Sequence, residues 1–346
     1  MHHKNHPTGA PILLGFLISA LAFSSASAQD YVPWPEEAVE VFDQIPIQHD
    51  GRVKPMRTVG HWILLELSGR TKLATVSKEE ERTYKKPEMP PGREGVPRKL
   101  TSSEWLMDTL FRPTFATKYP VFLVDDSNAV TAIGAEAKIK KRNYYSYADL
   151  LPGREKLAEL ARTYAQKKEK KQKLTSLEDQ IMLLGRKVNT FEFLSASFGP
   201  AQPSKLVNPE IIDPDMRRIL ETAVTSELIK RSPSMTLQQI AAQFRTDPSM
   251  MSEDERTFFS ATKSLFFLSQ SATALTPFRD RDPEVIDWIS PGALVQRSLE
   301  ASGEERDWYL ERLRALESLG QAAQAPETMV PALETFRDYV AYQPMA

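Results

Sequence analysis

Apolar positions along this chain recur mostly at steps of three and four, the period of helices that bury one face. Val59, Trp62, Ile63, Leu65 and Leu67 predict a helix over 58–68, starting after Pro55 and ending before Gly69. Leu177, Ile181, Leu184, Val188, Phe191 and Leu194 form a longer stripe that wants a partner helix. It opens on Thr175-x-x-Glu178, the spacing at which two side chains close the first turn reciprocally. Thr101-x-x-Glu104, ahead of Trp105, Leu106, Leu110 and Phe111, and Ser252-x-x-Glu255 repeat that spacing. A short helix is expected over 36–42 and a long charged one over 154–173. Further helices are expected near 214–231, 236–246, 252–270, 291–302, 303–322 and 328–342, with Ser290-Pro291 placing proline in a first turn.

Strict alternation is scarce. Tyr119–Val124 reads as a strand, Asp125 to Asn128 as turn chemistry and Ala129–Ile133 as the returning strand. The expected fold class is therefore mostly α (α+β), with a small β-hairpin near residues 119–134 and extended chain over 45–54. Arg82–Lys99, rich in proline, glycine and charge, should be an exposed loop. Pro200, Pro203, Pro209 and Pro214 mark a linker. The implied organisation is a segment over 1–28, an α+β domain over 29–198, a linker over 199–215 and a helical domain over 216–346.

Residues 1–28 read as a secretory signal: Lys4, an apolar run from Pro11 to Phe23 and the Ala26-Ser27-Ala28 cleavage pattern. The mature chain should begin at Gln29, without a transmembrane span, and be soluble in the periplasm or its extracytoplasmic equivalent. Removing Lys4 with the signal leaves 43 basic against 46 acidic residues. That balance argues against general nucleic-acid binding. The run Lys167 to Lys173 is a local exception, readable as a solvated helix face or as a contact for anionic headgroups or an acidic partner.

The chain has no cysteine. It cannot attach haem through C-x-x-C-H, exchange disulfides or staple its fold with them. After the signal only His49 and His61 remain, without metal-ligand spacing, so no metal site is expected. No G-x-S-x-G elbow occurs, and no catalytic residue stands out. The acidic pairs Asp213/Asp215 and Asp280/Asp282 fall at proline-rich helix starts, where carboxylates serve as caps. Paired-carboxylate chemistry stays open, because any two acids can meet in space. His49 and His61 are the only histidines that could ligate haem non-covalently.

The most distinctive stretch is Gly51-Arg52-Val53-Lys54-Pro55. Asp50-Gly51 offers a tight turn with glycine at positive φ. An extended strand after it would place Arg52 and Lys54 on one face. Those cations either recognise an acidic group on a partner or hold the loop to its own domain through ion pairs.

The run Pro46, Gln48, Gly51, Arg52, Lys54, Pro55, Thr58 resembles the opening of the extracytoplasmic domain fused to cytochrome c biogenesis proteins of the CcsA/ResC type (system II). Trp105 to Gly134, Tyr144 to Leu151 and the Asp287-Trp288-Ile289-Ser290-Pro291 element are similar to later blocks of that domain. Arg57 departs from the pattern, which usually carries an acid there. The family continues into membrane helices that handle haem, and this sequence ends at Ala346. The resemblance therefore implies either a stand-alone subunit of a split arrangement or a truncated fusion. It implies a non-catalytic accessory, without a cofactor of its own, that docks on a membrane-embedded cytochrome c assembly protein, with apocytochrome c as a further partner. Gly51, Arg52, Lys54, Pro55 and Thr58 would form the contact. The alternatives are a helical binding module or chaperone for exported polypeptides, and a cell-wall enzyme with a deep acidic cleft.

Overall fold

The computed structural model describes residues 31–201 and 265–340, except 267 and 283, together with 226, 229, 230, 234, 236 and 239. The signal and its cleavage site, the acids at 213 and 215, the Ser252 cap and most of the linker lie outside the described residues. So do most of the helices expected over 214–264.

Helix accounts for about 59% of the structure, well above the roughly one-third usual for globular proteins. The first half runs α1 (Glu36–Gln44), β1 (Pro46–His49), β2 (Arg52–Pro55), α2 (Met56–Ser68), β3 (Lys72–Ala74), α3 (Glu80–Thr83), β4 (Lys99–Thr101) and α4 (Ser102–Phe111). It continues through α5 (Pro113–Ala116), β5 (Phe122–Val124), α6 (Asn128–Ala132), β6 (Asn143–Tyr145), α7 (Tyr147–Leu150), α8 (Arg154–Glu169) and α9 (Ser176–Ala196). The last helices are α10 (Pro291–Glu300), α11 (Gly303–Ala322) and α12 (Met329–Val340). No helix among the described residues is long and apolar enough to cross a membrane.

The local signals act where they are written. Thr101 and Thr175 each accept the backbone N–H three residues on, while Glu104 and Glu178 return the bond. Ser290 caps α10, with Pro291 in its first turn. Gly69 ends α2 in the left-handed conformation, φ +67°, its N–H bonded to the Leu65 carbonyl. Ile181, Leu184, Val188, Phe191 and Leu194 bury the stripe of α9, and α8 is the partner it required.

The strands follow the pattern less closely. β5 pairs antiparallel with β6, Phe122 opposite Tyr145, and not with 129–133. Those residues lie mainly in α6. Asp126 accepts the Asn128 N–H at 3.0 Å and starts a helical turn, and none of residues 125–128 takes the positive φ of a two-residue hairpin turn. Ala129, Val130 and Ile133 are buried at helical spacing. The β3–β4 pair, three residues a side, is too short for alternation to betray. The loop over 82–99 is not exposed throughout. Arg93 and Val96 are buried, and the Arg93 guanidinium donates to the Glu80 carboxylate and the Thr75 carbonyl. Helix α8 stops at Glu169, four residues before the expected end.

Buried apolar side chains from Tyr31 to Val340 form one connected cluster. Helix α12 packs on α1, and α11 packs on the buried turn Gly199–Ala201, where the linker was expected to open. The Ala201 carbonyl comes so near Gly320 that a β-carbon there would sit 1.6 Å from it, so only glycine fits.

The N-terminal segment is fastened by a buried acid. Asp108 of α4 is inaccessible and accepts hydrogen bonds from Trp34 Nε1 (2.9 Å), the Tyr119 hydroxyl (2.8 Å) and the Tyr31 hydroxyl (3.1 Å). Arg112, one turn on, lies 3.6 Å from the Trp34 ring centre and donates to the carbonyls of Val32 and Ala323. Burial pushes the Asp108 carboxyl up to about 6, against the Tyr119 bond, the Arg112 charge and the Trp34 and Tyr31 bonds, all of which favour the anion.

A carboxyl that binds its proton more tightly folded than unfolded stabilises most below its unfolded pKa, near 3.8, and loses that contribution as pH rises to about 6. Asp108→Asn removes this dependence. Between pH 4 and 7 the unfolding free energy of the native protein is expected to fall by about 2 kcal/mol relative to the Asn variant. Paired urea titrations at the two pH values measure it, and parallel behaviour of the two proteins would refute it.

Candidate functional site

The Gly-Arg-x-Lys-Pro element is the second strand of a hairpin. β1 and β2 pair from Pro46 opposite Pro55 to His49 opposite Arg52, leaving a two-residue turn. Asp50 (φ +53°) and Gly51 (φ +70°) are both left-handed, the conformation that matches strand twist in such turns. Pro55 then caps α2 in extended conformation.

Gln48 fixes this hairpin to the distant part of the chain. Its N–H donates to the Thr276 carbonyl at 3.2 Å, and the Thr276 hydroxyl donates back to the Gln48 carbonyl. Its side-chain Nε2 donates to the Ile286 carbonyl (3.2 Å), and its Oε1 accepts the Trp288 N–H (2.7 Å). The Gln48–Thr276 bridge joins the hairpin to the 276–289 segment, and a second isolated bridge, Phe278 with Ile289, closes the segment on itself. Gln48 itself is buried. The buried amide is satisfied at both ends, which is the condition for burying it without loss.

The cations lie on the solvent side of this clamp. Arg52 is exposed and has no ion pair among the described residues. Lys54 is half-buried and stands 3.7 Å from Asp50, an exposed carboxylate, so the pair contributes little. Pro55 is exposed, and Thr58 is half-buried on α2. Arg57, at the departing position, faces Asp43 at 4.0 Å. His49 Nδ1 lies 3.0 Å from Asp50, and His61 packs edge-on against Trp62, 5.7 Å between ring centres. No hydrogen bond or ion pair joins the two histidines. Among the described residues no three His, Asp or Glu side chains gather as metal ligands.

An open groove of about 350 Å³ runs beside the turn, lined by Gln48, His49, Asp50, Gly51, Ala274, Thr276, Asp287 and Trp288. Exposed apolar side chains flank the hairpin in sequence and in space. Val53 stands opposite Gln48 in the register, and Ile286, 83% exposed, bonds Gln48 through its carbonyl. Trp62, expected on the buried side of its helix, is 59% exposed. It sits on the outer arc of α2 with Thr58 and Leu65, while Val59, Ile63 and Leu67 take the core. No family model, curated protein or solved structure matches this chain.

The hairpin brings Gly51, Arg52, Lys54 and Pro55 together, with Thr58 and His61 following on α2. Sequence reasoning gave Gln48 no task. Its only local sign is a polar residue between Ile47 and His49 at a buried strand position, and the acceptors it needs are carbonyls, which any residue supplies.

Gln48→Glu changes one atom and turns a donor toward Ile286 into a second acceptor. It is expected to lower the unfolding free energy by about 2–3 kcal/mol. Arg52→Ala should stay within about 0.5 kcal/mol of the native protein. Urea denaturation of both variants measures the contrast, and similar costs would show that Arg52 belongs to the fold.

Proposed function

We propose that this chain is a non-catalytic exported accessory subunit of cytochrome c biogenesis. It docks through Gly51, Arg52, Lys54, Pro55 and Thr58 on a membrane-embedded haem-delivery protein and holds that partner's outer face for apocytochrome c. The observation that supports this reading is Arg52: an exposed guanidinium with no acidic partner among the described residues, on a hairpin clamped at Gln48. A planar donor on a stiff strand suits bidentate capture of a partner carboxylate. Two stretches of the resemblance, the opening motif and the Trp-x-Ser-Pro element, also meet directly, through Gln48 and the Trp288 N–H. In this reading His49 and His61 are not haem ligands.

A second reading, a binding module or chaperone for exported polypeptides, draws on the exposed side chains of Val53, Trp62 and Ile286. Charge reversal separates the two. Arg52→Glu with Lys54→Glu should leave the melting temperature unchanged. It should cut co-purification with a multi-spanning haem-handling protein from solubilised membranes at least a hundredfold, because opposed like charges cost several kcal/mol at an interface. Retained co-purification would remove Arg52 and Lys54 from the contact, and capture of an unfolded polypeptide by both forms without the membrane protein would move the assignment to the chaperone reading.

A further inference from the structure

Helices α8 and α9 form an antiparallel hairpin, and the end of α8 with the turn after it carries Lys167, Lys168, Lys170, Lys171 and Lys173. Lys167 is matched by Glu178 at 2.8 Å. Lys168, Lys170, Lys171 and Lys173 are exposed, without an ion pair among the described residues. A helix C-terminus favours cations in its last turn, which accounts for Lys167 and Lys168. It does not account for Lys171 and Lys173, which lie beyond the helix.

The backbone supplies a second observation. The Gln172 N–H bonds the Lys167 carbonyl (3.1 Å) and the Lys171 N–H bonds the Lys168 carbonyl (2.9 Å), the two-bond closure in which glycine is the usual residue. Lys171 holds that position at φ +55°, a conformation a β-carbon opposes. A lysine thus stands where glycine would relax the turn. The tip also has a firm base. Buried Glu192 of α9 accepts from Arg154 Nη2 at 2.5 Å and from the Tyr147 hydroxyl at 2.8 Å.

We propose that this tip is a membrane-surface contact that holds anionic phospholipid headgroups by charge. Every cation from 163 to 185 is a lysine. Ammonium point charges on flexible stems suit a fluid array of phosphates, whereas a fixed carboxylate on a protein is better met by planar arginine. Leu177, 38% exposed, adds apolar surface beside the turn. This contact uses none of the β1–β2 residues and stands or falls apart from the docking reading.

Co-sedimentation of the purified chain with vesicles tests it, using equal parts phosphatidylcholine and phosphatidylglycerol against phosphatidylcholine alone. Binding is expected to the anionic vesicles only, and to weaken with salt. Joint replacement Lys168→Gln, Lys170→Gln and Lys173→Gln should lower partitioning about a hundredfold, at about fivefold per lysine. The Lys→Arg triple should retain it, and Arg52→Glu should change it less than about twofold. Equal binding to neutral vesicles, undiminished binding of a folded Gln triple, or no binding to anionic vesicles would each overturn the proposal. In the last case, lysine-dependent binding of polyglutamate would assign the tip to an acidic protein instead.

Discussion

A buried glutamine amide is tolerated only when both of its ends are bonded, and in this protein that requirement falls on Gln48. Its donor must meet a carbonyl and its acceptor an N–H. The two partners, Ile286 and Trp288, lie 238 and 240 residues away. The orientation of the amide is thereby dictated, and so is the register of β1 against the 276–289 segment. Once β1 is held, the Asp50-Gly51 turn fixes β2, Pro55 aims α2, and the outer surface of the hairpin is left carrying Arg52 and Val53. A short two-stranded hairpin is marginal alone. This one borrows rigidity from the core through one residue, Gln48, by its side chain and its backbone together.

The same logic operates at Asp108. An acid inside an apolar helix bundle is costly unless it collects donors, and the donors here come from Tyr31, Trp34 and Tyr119. Arg112 then lies on the Trp34 ring and reaches Ala323, so the first described residues are fastened to the end of α11. Both polar clusters join chain segments that helix packing alone would leave free to shift. Elsewhere the charged groups divide. Arg93, Arg154 and Arg297 are committed to Glu80, Glu192 and Asp280, while Arg52, Lys168, Lys170, Lys171 and Lys173 have no ion pair among the described residues. Function is sought among the second kind, because a cation already bound inside the fold has little left to offer a partner.

What was legible in the sequence was what is local. The caps at Thr101, Thr175 and Ser290 bond groups within three residues, so spacing alone reveals them. The stripe of α9 and the Asp50-Gly51 turn are legible for the same reason. Where periods compete, the reading slips. Ala129, Val130 and Ile133 fit either a short strand or a helical turn, and the Asp126 bond to the Asn128 N–H decides for helix. Trp62 shares the spacing of its helix but falls on the outer arc, and composition does not say which arc faces the core. The clamp at Gln48 and the cluster at Asp108 leave no periodic trace, because their partners are distant and are read only once the fold has closed.

Native-state hydrogen exchange at the Trp288 amide tests the central claim most directly, that the hairpin is held to the distant segment through Gln48. If the clamp is intact, this amide and that of Gln48 exchange only on global unfolding, with the same free energy as the core amides of α4. The Val53 amide, in an exposed residue at the outer strand, exchanges far sooner. A Trp288 amide that exchanges as fast as Val53 while α4 stays protected would contradict the account.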